Sequence, residues 1–129
     1  MVYITITGLH KGSLDDLLSN NLKTLEIRSP HNFFSLIEVD VGDEVFLTMS
    51  SLHDLNKGTI GIMAEIVAKS VSMHRVFQGI EGFFEEHETL MARIQVRPIS
   101  YGRIVEVKNN IVGEAVLVEI HPVTSFDAR

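Results

Sequence analysis

Thr59-Ile60-Gly61-Ile62-Met63-Ala64-Glu65-Ile66-Val67-Ala68 is the stretch on which the fold reading turns. Ile60, Ile62, Ala64 and Ile66 recur at every second residue, with Gly61, Met63, Glu65 and Val67 between them. A period of two sends alternate side chains to opposite faces of an extended chain, and β-branched residues favour that conformation. The segment therefore reads as a strand with a continuous apolar face. Two others share the pattern. In Val2–Thr7, Val2, Ile4 and Ile6 oppose Tyr3, Thr5 and Thr7, and in 89–97, Leu90, Ala92, Ile94 and Val96 oppose Met91, Arg93, Gln95 and Arg97. Weaker strand patterns lie at 23–28, 44–50, 103–107 and 114–121, the last two joined across Lys108-Asn109-Asn110 as a hairpin turn. Pro98 ends or bends the strand before it.

Helical spacing is confined to two places. Leu14, Leu17 and Leu18 form one apolar stripe, in a helix starting at Ser13 with Asp15 and Asp16 in its first turn. Phe33, Leu36 and Ile37 give one or two turns over 32–38, after the break Ser29-Pro30-His31-Asn32. Asp40-Val41-Gly42-Asp43 is a turn, 51–58 a polar loop, and between Ser70 and Glu88 the alternation weakens into what reads as a lid-like excursion. Six or seven short strands with one or two short helices define a mostly β (α+β) single domain over residues 1–129. The architecture is a small closed or nearly closed β-barrel, or an open two-layer sandwich.

At 129 residues and 45% apolar content the chain can bury a core unaided. The absence of cysteine removes thiolate nucleophiles, thiolate metal sites and disulfides, and fits a reducing compartment. The N-terminus lacks the pattern of a signal peptide, and no apolar run reaches the roughly 20 residues that span a bilayer, so a soluble, cytoplasmic protein without membrane contact is expected. A net charge of -6 argues against duplex DNA, which is bound by neutralising phosphates, while leaving a local pocket for one nucleotide or an unpaired base.

Val41-Gly42-Asp43-Glu44-Val45-Phe46-Leu47-Thr48, followed by Gly58-Thr59-Ile60-Gly61-Ile62-Met63-Ala64-Glu65-Ile66-Val67, is similar to the centre of PUA-like domains, including their ASCH and EVE branches. There a Gly-Asp turn launches a strand and, after a polar loop, a strand rich in small residues follows. In this sequence Gly42 permits the tight turn and Gly61 a close backbone approach. The whole chain also resembles an archaeal family of unknown function, found mainly in methanogens, through Asp40–Asp43, Asp54–Thr59 and Glu65–Val67. That resemblance implies an archaeal cytoplasmic source and a PUA-like fold, and brings no substrate and no catalytic residues.

Chemistry-bearing clusters are sparse. His10, His31, His53, His74, His87 and His121 show no paired-ligand spacing, so no metal and no cofactor is called for. Glu85-Glu86-His87-Glu88 reads as a solvated loop or helix start. Ser50, Ser51, His53 and Asp54 are triad residue types crowded into five positions, better read as a turn held by its own Ser and Asp side chains. The most suggestive set is Arg28, Ser29, His31 and Asn32 at a helix entry, with Thr48 and Ser50 leaving the Gly-Asp strand. Free backbone N–H groups and a guanidinium there suit an anion or a carbonyl, and the resemblance places a ligand groove beside such a helix. Arg93, Gln95 and Arg97 share a strand face, either as an RNA-contacting stripe or as a solvated face paired with Glu106 or Glu119.

The reading is a non-enzymatic PUA-like module binding a small ligand, nucleotide, modified base or RNA. A protein-interaction or homodimerisation module acting through Val76–Phe84 is the alternative. An enzyme acting on RNA or a nucleotide, using His31 or His53 with Arg28 or Arg93, ranks last.

Overall fold

The computed structural model describes residues 2–80, 83–109 and 115–125. Its elements are β1 (Val2–Ile6), α1 (Lys11–Asn20), β2 (Lys23–Ile27), α2 (Pro30–Ile37), β3 (Glu44–Leu47), a short 3-10 turn (Leu52–Asp54), β4 (Ile60–Ile80), β5 (Phe83–Asn109) and β6 (Leu117–Ser125). The chain is mostly β with two short helices. Strands pair in the order β2-β5-β4-β3-β1-β6, and β6 pairs again with β5. β5, β4, β3, β1 and β6 thus close a ring of pairings, with β2 attached to β5 outside it. β1 and β3 run parallel, and the crossover between them carries α1, β2 and α2. No helix among the described residues is long and apolar enough to cross a membrane.

The period-two pattern divides the buried residues into two cores. Ile6, Val45, Leu47, Ile62, Ala64, Ile66, Ala92, Ile94 and Val96 form one strand face, covered by Leu14 and Leu17 of α1, Phe33 and Leu36 of α2, and Leu25 and Ile27 of β2. The intervening residues turn to the other face, where Phe46, Met63, Ile104, Val116 and Val118 pack with Tyr3, Leu52 and Ile120. The two faces of the 59–68 stretch are therefore both used, except that Ile60 lies mostly exposed.

Phe46 is fully buried in that second core, and Gly61 and Gly102 are paired directly across β4 and β5. A Cβ on Gly61 would stand 2.6 Å from Phe46 Cζ and press on the Leu47 carbonyl oxygen, and one on Gly102 would stand 2.7 Å from Ile120 Cγ2. Gly61 makes room for the Phe46 ring and for the Leu47 backbone, the latter being the close backbone approach expected of it, and Gly102 makes room for Ile120. Gly42, at φ 98°, makes the tight turn into β3, and its N–H donates to the Ile66 carbonyl at 2.8 Å.

Several expectations are corrected. α1 starts at Lys11, and Asp15, outside the first turn, pairs with Lys11 at 2.9 Å. Residues 70–88 are not a lid: apart from 81 and 82, outside the described residues, they belong to β4 and β5, paired in unbroken register from Ala68↔Gln95 to Ile80↔Phe83. Glu85–Glu88 accordingly lies on a strand, neither loop nor helix start. Pro98 does not end its strand, because it falls where β2 has stopped at Val96 and β6 has not begun at Ser100, beside a register shift opposite Met63/Ala64. With one neighbouring strand there, the missing N–H is tolerated. Lys108 and Asn109 end β5 and make no turn, and Asn110 lies outside the described residues.

Gly61→Ala is expected to destabilise the fold by about 2 kcal/mol or more, since the clash involves backbone as well as the ring. Urea denaturation of the variant checks this, and Phe46→Leu in the same background should recover part of the loss.

Candidate functional site

Two clefts flank the entry to α1. The first, of about 650 Å³, lies between the β1–α1 loop, β2 and the start of α2, and is lined by His10, Lys23, Glu26, Arg28, Ser29 and His31 among others. The second, of about 720 Å³, lies beyond Lys11 and Asp15 and is bounded by Leu14, Leu18, Met49, Ile60 and Tyr101 with Thr48 and Ser50. Both fall in the range of small-molecule sites. The six residues expected to form one site are thus divided: Arg28, Ser29, His31 and Asn32 line the polar cleft, Thr48 and Ser50 the apolar one.

Their roles divide as well. β1 ends at Ile6, so Thr7 leaves the ladder and its backbone groups need other partners. Asn32, 5% exposed, supplies both: its Oδ1 accepts from the Thr7 N–H at 3.1 Å, and its Nδ2 donates to the Thr7 carbonyl at 2.8 Å. Asn32 is therefore a structural clamp, and its amide is spent on Thr7. Thr48 is likewise buried, donating from Oγ1 to the Ile60 carbonyl at 3.1 Å and accepting from the Ser50 N–H at 3.2 Å. The loop between them is fixed by Gly8 N–H to Ser50 O at 2.8 Å and Leu9 N–H to Thr48 O at 3.1 Å.

Arg28, Ser29 and His31 stand differently. Pro30 sets the first turn of α2 and Ser29 is its N-cap residue, but the Ser29 side chain makes no capping bond. The N–H groups of the first helical turn have no carbonyl four residues back within the helix. His31 is half-buried, and its Nε2 is enclosed without a hydrogen-bond partner. Arg28 is largely exposed and meets Glu26 at 3.7 Å, a loose contact, while Glu26 holds Arg93 at 3.1 Å. Lys23, on the same cleft, pairs with Asp16 at 3.1 Å. His10, Ser13, Lys23 and Glu26 also line this cleft, though none of them was read as a site residue from the sequence. Nothing in the sequence marked the apolar lining by Met49, Ile60 and Tyr101 as a site either.

The Arg93–Arg97 stripe exists on one face, but Arg93 faces Glu26 directly across β2–β5, and Arg97 pairs with its cross-strand neighbour Glu65 at 3.3 Å. The carboxylates proposed for that role, Glu106 and Glu119, are instead bridged by Lys108 at 2.9 and 3.6 Å. The hydrogen bond and charge of Glu106, then Glu119, hold the Lys108 ammonium above the usual lysine range. Gln95 lies between the two arginines, half-buried, beside Thr24 and Ser70. In the 50–54 turn, Ser51 Oγ donates to the Asp54 carboxylate at 2.8 Å and His53 is exposed, so the turn is held by its own Ser and Asp side chains and forms no catalytic line. Among the described residues no three metal-ligating side chains converge, and the side chains of His74 and His87 lie outside them.

Fold and site together describe a small β-ring domain with a polar cleft beside a helix entry. The chain belongs to a family described as a protein of unknown function (DUF473), whose model matches residues 1–118. It is 30% identical over 99 residues to an uncharacterised protein of the archaeon Methanocaldococcus jannaschii, covering 77% of this chain and 62% of that relative. The chain thus spans less than two thirds of the relative's length. No solved structure matches.

Asn32→Ala strands the Thr7 N–H and carbonyl in a buried setting and is expected to cost about 2–4 kcal/mol of stability, whereas Arg28→Ala should cost under about 0.5 kcal/mol. Chemical denaturation of the two variants side by side checks the division between the buried clamp and the loosely paired, exposed side chain.

Proposed function

We propose that this protein is a PUA-like binding module that takes a small anionic ligand of the nucleotide class in the polar cleft, without catalysing its conversion. The observation that carries the reading is the pairing of an enclosed, unpartnered His31 Nε2 with an under-used Arg28 guanidinium on the same cleft. A buried polar atom without a partner is costly unless something completes its hydrogen bond. The lining supports an anion: the charged side chains on the cleft are Lys23, also held by Asp16, and Arg28 against one carboxylate, Glu26, in a chain whose net charge is -6. Ser29, with its hydroxyl off the helix end, and the first N–H groups of α2 would complete a phosphate or carboxylate cradle. Continuous RNA along β5 is the weaker reading, because Arg93 and Arg97 are already matched by Glu26 and Glu65.

Calorimetric titration and thermal shift with nucleoside monophosphates, nucleosides and inorganic phosphate test the proposal. Nucleotides should raise the melting temperature, since a ligand selective for the folded state must stabilise it. Arg28→Ala should weaken that binding by about 1–3 kcal/mol, the usual worth of a charge-assisted hydrogen bond. No shift with any of the three at millimolar concentration, or an affinity indifferent to Arg28, contradicts it.

A further inference from the structure

β3 leaves β4 at Glu44↔Glu65, and the bonds from Gly42 N–H to Ile66 O and from Ile66 N–H to Asp43 O are the last that tie down that edge of β4. From 67 to 80, among the described residues, β4 pairs with β5 alone. On the far side, β2 stops at Ile27↔Ala92, so Phe83–Met91 of β5 has no second neighbour among the described residues. The two strands form a ribbon standing out from the ring, its β4 edge about 40 Å long at the ordinary rise per residue. Two-stranded ribbons are marginal by themselves, and natural edges are blunted by proline, bulges, short length or charge.

The two edges differ in those guards. Phe83–Met91 carries Glu85, Glu86 and Glu88. Ala68–Ile80 has no proline and no acidic residue, and its register with β5 is unbroken. Its charged residues are Lys69 and Arg75, and the Lys69 ammonium is turned away onto α2, donating to the carbonyls of Leu36 at 2.9 Å and Val39 at 2.6 Å. The base of the edge, at Ala68, Ser70 and Val71, is exposed.

We infer that the outer edge of β4, residues 68–80, pairs antiparallel with the same edge of a second copy of this chain, joining two ribbons into a four-stranded sheet. Symmetry and charge select this occupant. Pairing β5 with β5 would set glutamates against glutamates. Pairing β4 with β5 of another copy is head-to-tail, gives larger rings or open filaments, and leaves no two-fold closure. Pairing β4 with β4 about the middle of the edge, His74, closes a two-fold dimer in which Arg75 faces Met73 and Lys69 faces Gly79, with no like charges opposed. The inference is independent of the ligand reading, since the polar cleft is built from other elements.

Light scattering of the full chain across the micromolar range should give a mass approaching twice 14.4 kDa. Ser70→Lys, Ser72→Lys and Val76→Lys combined should halve that mass, with the far-UV circular dichroism spectrum unchanged. Hydrogen exchange of the unmodified protein keeps the test independent of that variant's folding: amides of 68–80 should be slowed as concentration rises, and those of 83–91 should not. A monomer at every concentration, open-ended growth in mass, or concentration-dependent protection confined to residues outside 68–80 would overturn the inference.

Discussion

The ring depends on how closely β3, β4 and β5 approach around one aromatic side chain. Phe46 is the largest fully buried side chain of the second core, and it fits because β4 presents Gly61 to it, while Gly102, paired directly with Gly61, clears Ile120. Core packing tolerates little overfilling, so this void-for-ring exchange fixes the register of β4 against both neighbours. From that register follow the alternation of the two cores and the placing of Val45, Leu47, Ile62 and Ala64 under α1 and α2. The parallel contact of β1 with β3 sets where the crossover begins and ends, and both clefts open along that crossover.

Where side chains alternate cleanly, the sequence was sufficient. Val2–Ile6, 60–68 and 89–97 lie in strands, the Leu14/Leu17/Leu18 and Phe33/Leu36/Ile37 spacings are helices, and Gly42, read as a tight turn, has a positive φ. The lost information is tertiary. Pro98 read as ending or bending its strand, and ending it was open because a sequence does not show that β5 has a single neighbour there. Residues 70–88 looked irregular because a two-stranded ribbon need not carry a consistently apolar face, and its strand character rests on backbone pairing between β4 and β5. The closure of the ring rests on β6 returning to β5 as well as β1, a non-local pairing with no local signature.

The site was legible by residue type but not by role. Arg28, Ser29, His31 and Asn32 are neighbours in the chain and all reach one cleft, yet Asn32 is committed to Thr7 while His31 keeps an unpartnered nitrogen. Both have polar side chains suited to a ligand, and what separates them is the end of β1, which leaves Thr7 in need of a substitute strand partner. Thr48 is the same case, a polar residue consumed by the turn it sits in. Arg93 and Arg97 read as a basic stripe until the registers of β2 and β4 bring Glu26 and Glu65 opposite them. Cross-strand neighbours decide whether a charge is available, and they are set by the fold.

The central claim is that the polar cleft at the α2 entry is where this protein meets an anionic ligand. Titrating a nucleoside monophosphate into isotopically labelled protein and following amide chemical shifts tests it most directly. The account predicts saturable shifts grouped at His10, Arg28, Ser29, His31 and Asn32, with Met49, Ile60 and Tyr101 of the apolar cleft unmoved. Saturable shifts grouped in the apolar cleft, or none at millimolar ligand, would contradict it.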